Sequence, residues 1–261
     1  MLELAFVKRS ALLLILLFLP ACAHTPYQKD VVFQNAPIQA LLAGCYSGTM
    51  SIHDLGKHGD FGFGTVDALD GEMVALDHAF YQIKPDGKVR RLKDQDTIPY
   101  ATVTFFGSGQ VLAPEQAMTY TELTGFLDKN LSSENLIYAI KVEGRFSWLK
   151  VRSAARQNKP YPVLTEAIKE QKIFELKDQE GTLVGFRFPS YAEGVNVPGY
   201  HFHFINKDKT LGGHVLDLRS EGVRVQLDQS RKFSMELPKS EEFLKFRFDS
   251  DAKEAIQKVE K

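Results

Sequence analysis

Between residues 61 and 237 the apolar residues fall mainly in short β-branched and aromatic runs bounded by Gly, Asp, Asn and Pro. That is a strand-and-turn pattern. Phe61-Gly-Phe-Gly-Thr-Val66 leads into Leu69-Asp-Gly-Glu72, where Asp-Gly between extended runs predicts a hairpin. Phe80 to Ile83, the turn Pro85-Asp-Gly-Lys88 and Val89 predict another. Thr102 to Phe106 reads as a strand, as do Leu136 to Val142 and Phe146 to Val151 around Gly144. Ile173–Leu176 and Leu183–Phe188 read as a hairpin around Asp178-Gln-Glu-Gly181. Tyr200–Ile205, His214–Leu218, Val223–Leu227 and Phe233–Leu237 complete the strands.

Helical periodicity is sparse. Pro37 can start a short helix through Leu41, Leu42 and Ala43, stopped by Gly44. Met118, Leu123, Phe126 and Leu127 give a rough apolar stripe to a helix expected from near Pro114 to Leu127. Pro160 and Pro162 precede a helix over Val163–Lys172, and Asp251 can cap a last one, Ala252–Glu260. The expected class is α+β: mostly antiparallel or mixed sheet, half-open and barrel-like, with a few helices in two packed subdomains. Their boundary is expected near residue 160. No solenoid-type repeat is present.

The N-terminus departs from this pattern. Lys8 and Arg9 precede an unbroken apolar run, Ala11 to Leu19, too short to cross a bilayer but suited to the core of a secretory signal. The run ends in Leu19-Pro-Ala-Cys22, which resembles a bacterial lipoprotein cleavage box. The resemblance implies removal of residues 1–21, a lipid on Cys22, and export to the cell envelope. There the chain would sit on the periplasmic side of an outer membrane, as Ala23 suggests, or at the cell surface. Residues 22–36 are expected to be an extended tether, with the domain proper over 37–261. With Cys22 lipidated, Cys45 is left alone and is expected to be a buried apolar filler.

Composition narrows the function. Lys plus Arg number 32 and Asp plus Glu 33, a formal net charge of -1. A near-neutral chain without a basic block is a poor candidate for nucleic acid. Two cysteines exclude a disulfide scaffold.

The chemistry is concentrated in Gly199-Tyr-His201-Phe-His203-Phe204 and Gly212-Gly-His214. Side chains two apart on a strand share a face, so His201 and His203 project together. The polar turn Asn206–Thr210 can bring His214 back beside them. Three imidazoles on one site match a catalytic zinc with an open position. A cupin also presents His-X-His, but usually with a carboxylate ligand four residues after the second His, and here that position is Lys207.

The runs Phe61-Gly-Phe-Gly-Thr65, Leu69-Asp-Gly-Glu-Met73, Phe80-Tyr-Gln82 and Tyr138-Ala-Ile140 occur in order. So do Gly185-Phe-Arg187, Glu193-Gly-Val-Asn-Val-Pro-Gly-Tyr-His-Phe-His-Phe204 and Gly212-Gly-His-Val-Leu-Asp217. Together they closely resemble the α-acetolactate decarboxylase family, from about Pro37 to the C-terminus. The resemblance implies zinc on His201, His203 and His214, and an active site that includes Glu72, Thr65 and Arg152. A second glutamate near the C-terminus matches Glu260, with Glu254 as its rival. Taken alone, Glu72 would be a solvated turn residue, Arg152 surface charge, Thr65 an ordinary strand residue and Glu260 part of a frayed end. His24, His53, His58 and His78 lie in polar or turn contexts and are expected to be exposed.

The implied substrate is 2-acetolactate, a β-keto acid with a hydroxyl between carboxylate and ketone. Loss of carbon dioxide leaves an electron pair that the ketone itself accepts, so no organic electron sink is needed. A Lewis-acid metal, a forked arginine contact and a carboxylic proton donor suffice to give acetoin. Two alternatives stand beside the lyase: a zinc hydrolase on the same histidines, and an envelope lipoprotein that binds a ligand without turnover. The expected partners are the small-molecule substrate, a membrane through Cys22, and a second copy of the chain.

Overall fold

In the computed structural model, residues 30–107 and 109–247 are described, together with 256, 258 and 259. The elements in order are β1 (Val31–Asn35), α1 (Ile38–Leu42), β2 (Met50–Ser51), α2 (Ile52–Leu55), β3 (Phe61–Thr65), β4 (Glu72–Leu76) and β5 (Ala79–Ile83). They continue with β6 (Val89–Arg91), β7 (Thr97–Ile98), β8 (Tyr100–Thr104), β9 (Gln110–Leu112), β10 (Met118–Thr119) and α3 (Tyr120–Asn130). The second half holds β11 (Ile137–Ser153), α4 (Leu164–Ala167), β12 (Lys172–Phe188), β13 (Gly199–Asn206), β14 (Gly212–Ser230), β15 (Lys232–Glu236) and α5 (Glu241–Lys245).

Two large sheets carry the fold. One has seven strands in the order β15-β1-β8-β3-β4-β5-β6, antiparallel throughout except where β1 runs parallel to β15. The other follows β10-β14-β11-β12-β13, with β9 on the flank of β14. β13 also pairs with β14, so β11, β12, β13 and β14 close on themselves at one end. This is the expected mixed, half-open, barrel-like α+β architecture. The sheets meet where Phe63 of β3 packs edge-on against Phe186 of β12, ring centres 5.6 Å apart. Val32, Phe61, Val74, Val184 and Ile205 belong to the same buried cluster. A separate cluster fills the second sheet and takes in Leu123 and Leu127 of α3.

Several local expectations give way to pairing. β11, β12 and β14 are each continuous where breaks were expected at Gly144, at Asp178–Gly181 and between Leu218 and Val223. Each pairs along most of its length, β11 with both neighbours, so a local turn would forfeit ladder bonds on two sides. The breaker residues are absorbed instead as register shifts around Gly144 and positive φ at Asp178 (51°) and Gly222 (58°). Residue 160 falls between the paired strands β11 and β12, so no subdomain boundary lies there. The chain passes from the first sheet to the second between β8 and β9 and returns to the first at β15.

The tether expected over 22–36 does not extend over β1. Val32, Phe33, Gln34 and Asn35 are buried, and their polar side chains bond inward: Gln34 Nε2 donates to the Ala36 and Val195 carbonyls (both 2.7 Å) and Asn35 Nδ2 to the Pro99 carbonyl (2.9 Å). α3 starts at Tyr120 rather than near Pro114, because the N-cap Thr119 and Glu122 form a reciprocal capping box. The helix expected over Val163–Lys172 is only α4 followed by a 3₁₀ turn to Glu170. Of the helix expected over 252–260, residues 256, 258 and 259 are described and helical. Cys45 is buried, and burial, ahead of the charge of Glu242, pushes its thiol up to about 11, so it is inert. Residues 1–21 and Cys22, with their signal and lipid expectations, lie outside the described residues.

Candidate metal centre

The three histidines meet because the register of the second sheet brings them together. His203 of β13 is directly opposite His214 of β14, and His201 lies two residues back on the same face. Arg152 of β11 is opposite His214 on its other side. His201 Nε2 lies 3.3 Å from His203 Nε2 and 3.0 Å from His214 Nδ1. All three candidate ligand atoms lie within 4.8 Å of one another, and all three side chains are buried.

This donor set fits a metal. Two nitrogens each about 2.0–2.1 Å from one tetrahedral ion are about 3.3 Å apart, close to the separations seen here. Burial, ahead of the nearby Arg152 charge, lowers the His201 imidazole to about 3. Burial first, then neighbouring positive groups, holds His203 and His214 well below 6.5. All three are therefore neutral near pH 7, as ligation requires. A neutral His201 Nε2 has at most one proton to give, so it cannot satisfy both short contacts as hydrogen bonds. A cation between the three nitrogens removes that conflict. His203 Nδ1 donates to the Met73 carbonyl (3.0 Å), which fixes its tautomer and turns the Nε2 lone pair inward.

The other sheet supplies the opposite wall. Phe63 stacks on both rings, with centroids 4.1 Å from His201 and 4.9 Å from His203. Glu72, at the start of β4, places Oε2 3.7 Å from His203 Nε2, and the Ala154 N–H donates to its Oε1 (3.3 Å). Gly71 makes this placement possible: its φ is +87°, and a Cβ there would stand 2.2 Å from the Ile83 carbonyl oxygen. Thr65 Oγ1 donates to the Gly71 carbonyl (2.7 Å), holding the turn that presents Glu72. Just before it, Ala68 (φ 61°) and Leu69 (φ 58°) are both left-handed, a strained pair at the lip of the site. Arg152, 5% exposed, extends to Gln171, where Nη1 donates to Oε1 (3.0 Å).

Thr65, Glu72, Arg152, His201 and His214 thus line one pocket, although they come from both sheets. Leu69, Leu164, Ile168 and Val259 close it, leaving a cavity of about 40 Å³. Glu260 and Glu254 lie outside the described residues. His53 and His78 are exposed as expected, but His58 is half-buried, stacked on Phe33 at 3.7 Å, and burial lowers it. Sequence reasoning missed three contributors: Phe63, the Met73 carbonyl and Gln171. Phe63 alone left a trace, its place between two glycines that let β3 approach closely.

Residues 32–250 match the family model for α-acetolactate decarboxylase. Similar curated proteins bear that name. One from Methanosarcina mazei is 49% identical and covers 89% of this chain and 81% of its own. One from Methylococcus capsulatus is 45% identical and covers 90% of each. The crystal structure of α-acetolactate decarboxylase from Bacillus subtilis superimposes with a TM-score of 0.86 at 34% identity, over 88% of this chain and 99% of that one. The chain belongs to the α-acetolactate decarboxylase family.

Proposed function

We propose that the chain decarboxylates 2-acetolactate to acetoin and carbon dioxide with a zinc ion held by His201, His203 and His214. The observation that carries this reading is the three neutral, buried imidazoles facing a carboxylate and a guanidinium in one pocket. The ion would supply Lewis acidity toward the ketone and hydroxyl oxygens of the substrate.

The chain's own residues do the rest. Arg152, oriented by Gln171, offers forked donors to the substrate carboxylate and so orients the bond that breaks. After carbon dioxide leaves, the carbon that carried it needs a proton. Glu72 is one candidate donor, with Oε2 3.7 Å from His203 Nε2. Glu260, or its rival Glu254, is the second candidate acid. Thr65 acts through the Gly71 turn rather than on the substrate, since its hydroxyl proton is already given to the Gly71 carbonyl. Leu69, Leu164 and Ile168 give the site an apolar wall. A cavity of about 40 Å³ holds a few waters, so the substrate enters by displacing part of this wall.

The test is acetoin formation from racemic acetolactate with the purified protein. Activity abolished by a chelator and restored by zinc supports the reading. Activity that survives complete metal removal overturns it.

We further propose that the chain is exported and anchored through a lipid on Cys22. Lys8-Arg9, the apolar run Ala11–Leu19 and Leu19-Pro-Ala-Cys22 support this. One acyl chain binds membranes only marginally, and stable anchoring takes more than one signal. Labelled fatty acid should enter the natural chain and not Cys22→Ser; an unlabelled natural chain refutes the anchor.

A further inference from the structure

Gln82, which closes the Phe80-Tyr-Gln82 run on β5, is 0% exposed, yet its amide has two donors and an acceptor to satisfy. In the pairing of β4 with β5 it is opposite Met73, so these two side chains share the face turned away from Glu72. Gln82 Nε2 donates to the Asp70 carbonyl and to Asp70 Oδ2 (2.9 Å). Its Oε1 accepts from Arg90 Nε, and Arg90 Nη1 donates to Asp96 Oδ2 (2.8 Å). Arg90 can only donate, which fixes which end of the Gln82 amide is oxygen. Both donors of a dry amide are thus spent on one residue, two positions before Glu72.

The segment 67–71 needs such a brace. Ala68 (φ 61°) and Leu69 (φ 58°) are left-handed without being glycine, a conformation that persists only where the surroundings impose it. The front of the segment is held by its neighbours. The Ala68 N–H donates to the Tyr46 carbonyl (2.8 Å), the Gln157 N–H to the Ala68 carbonyl (2.8 Å) and the Gly48 N–H to Asp67 Oδ1 (2.9 Å). The rear is held by Gln82 and Thr65. Gln82 bonds the carbonyl of the peptide joining Asp70 to Gly71, and Thr65 Oγ1 bonds the carbonyl of the peptide joining Gly71 to Glu72. The cations near Asp70 are looser, with Arg156 Nη1 at 3.8 Å and Lys84 Nζ at 4.0 Å from its carboxylate.

We propose that Gln82 is a positioning residue for the reaction, which acts by fixing the 70–71 peptide from behind and so sets where the Glu72 carboxylate stands beside the histidines. It rests on the decarboxylase reading of the site. With the peptide planes on both sides of Gly71 locked, the residue of greatest backbone freedom in the turn has none left. Glu72 then stays 3.7 Å from His203 without any bond of its own to the turn doing that work. The Arg90–Asp96 pair holds the Gln82 amide from the outer side, so the placement of Glu72 is set by a polar chain that reaches the half-buried surface.

Gln82→Glu tests this in the full chain. It keeps the size of the side chain and the partner of Arg90, but sets an oxygen against the Asp70 carbonyl and carboxylate where Nε2 donates. It should lower kcat for acetoin formation about 10²-fold, the usual cost of a misplacement of about 1 Å. KM and metal content should not change, because Arg152 and the three histidines stand on other strands. Arg90→Met releases the amide from outside the core and should lower kcat about fivefold, the worth of one hydrogen bond. In a Glu72→Gln background either change should alter kcat by less than about twofold, since it acts only through Glu72. A merely structural loss would multiply with that of Glu72→Gln. If Gln82→Glu does not fold, Arg90→Met and its pairing with Glu72→Gln decide by the same comparison. Natural kcat in the single variants overturns the proposal and leaves the decarboxylase reading standing, as does a loss that multiplies or that comes with lost metal. A metal-loaded natural chain that makes no acetoin overturns both.

Discussion

Stripping the metal should make the protein sensitive to mild acid, and the size of the effect follows from the burial of the three histidines. In the fold, His201 stays neutral down to about pH 3, and His203 and His214 also stay neutral well below 6.5. In the unfolded chain each takes up a proton near pH 6.5. Below that value the unfolded state binds more protons, so stability rises with pH and is lost as pH falls from about 6.5 toward 3. Each histidine contributes at most about 1.4 kcal/mol per pH unit. At pH 5 that is about 2 kcal/mol each and about 6 kcal/mol for three, comparable to the whole stability of about 5–15 kcal/mol of a typical domain. Urea unfolding of chelated protein from about pH 7 to about pH 5 measures it. The expected slope approaches about 4 kcal/mol per pH unit near pH 5, and metal, which binds the neutral rings of the fold, should raise stability without removing that slope. A slope no steeper than about 1.4 kcal/mol per pH unit, the value for a single group, would refute the buried neutral trio.

Three further outcomes are expected. Glu72→Gln should lower acetoin formation by about 10²–10⁴-fold, the usual worth of a positioned acid, with metal content by elemental analysis unchanged. Parallel loss of metal would make Glu72 a structural residue. His214→Ala should remove most bound metal while the circular dichroism stays that of a β protein, because β14 remains paired with β11 beyond it. Gly71→Ala, forced against the Ile83 carbonyl at positive φ, should cost more than about 1 kcal/mol in urea unfolding and depress turnover through Glu72. Unchanged stability there would mean that the turn relaxes freely.

The histidine trio was legible because its geometry is local: a two-residue repeat on one strand, then a short polar turn. Glu72 and Arg152 were legible only through resemblance, since Asp-Gly-Glu and Lys-Val-Arg look like solvated turn and strand edge until a second sheet covers them. β1 escaped notice for the opposite reason. Gln34 and Asn35 read as linker, yet their amides are bonded to carbonyls of distant segments, which no local pattern encodes. The long strands read as pairs of short ones because Gly144 and Gly222 carry turn signals that pairing overrides.

Every nitrogen donor of the metal centre belongs to one hairpin, spanning residues 201 to 214, whereas Glu72 and Arg152 join it from far along the chain. Closing so short a loop loses little chain entropy. The order of assembly follows. The ion can be captured by β13 and β14 early, and Phe63 of the other sheet then settles over rings already in place. A chain that folds first without metal must bring three dry imidazoles together with nothing between them. Metal supply during folding, rather than afterwards, should therefore govern how much active protein a cell obtains.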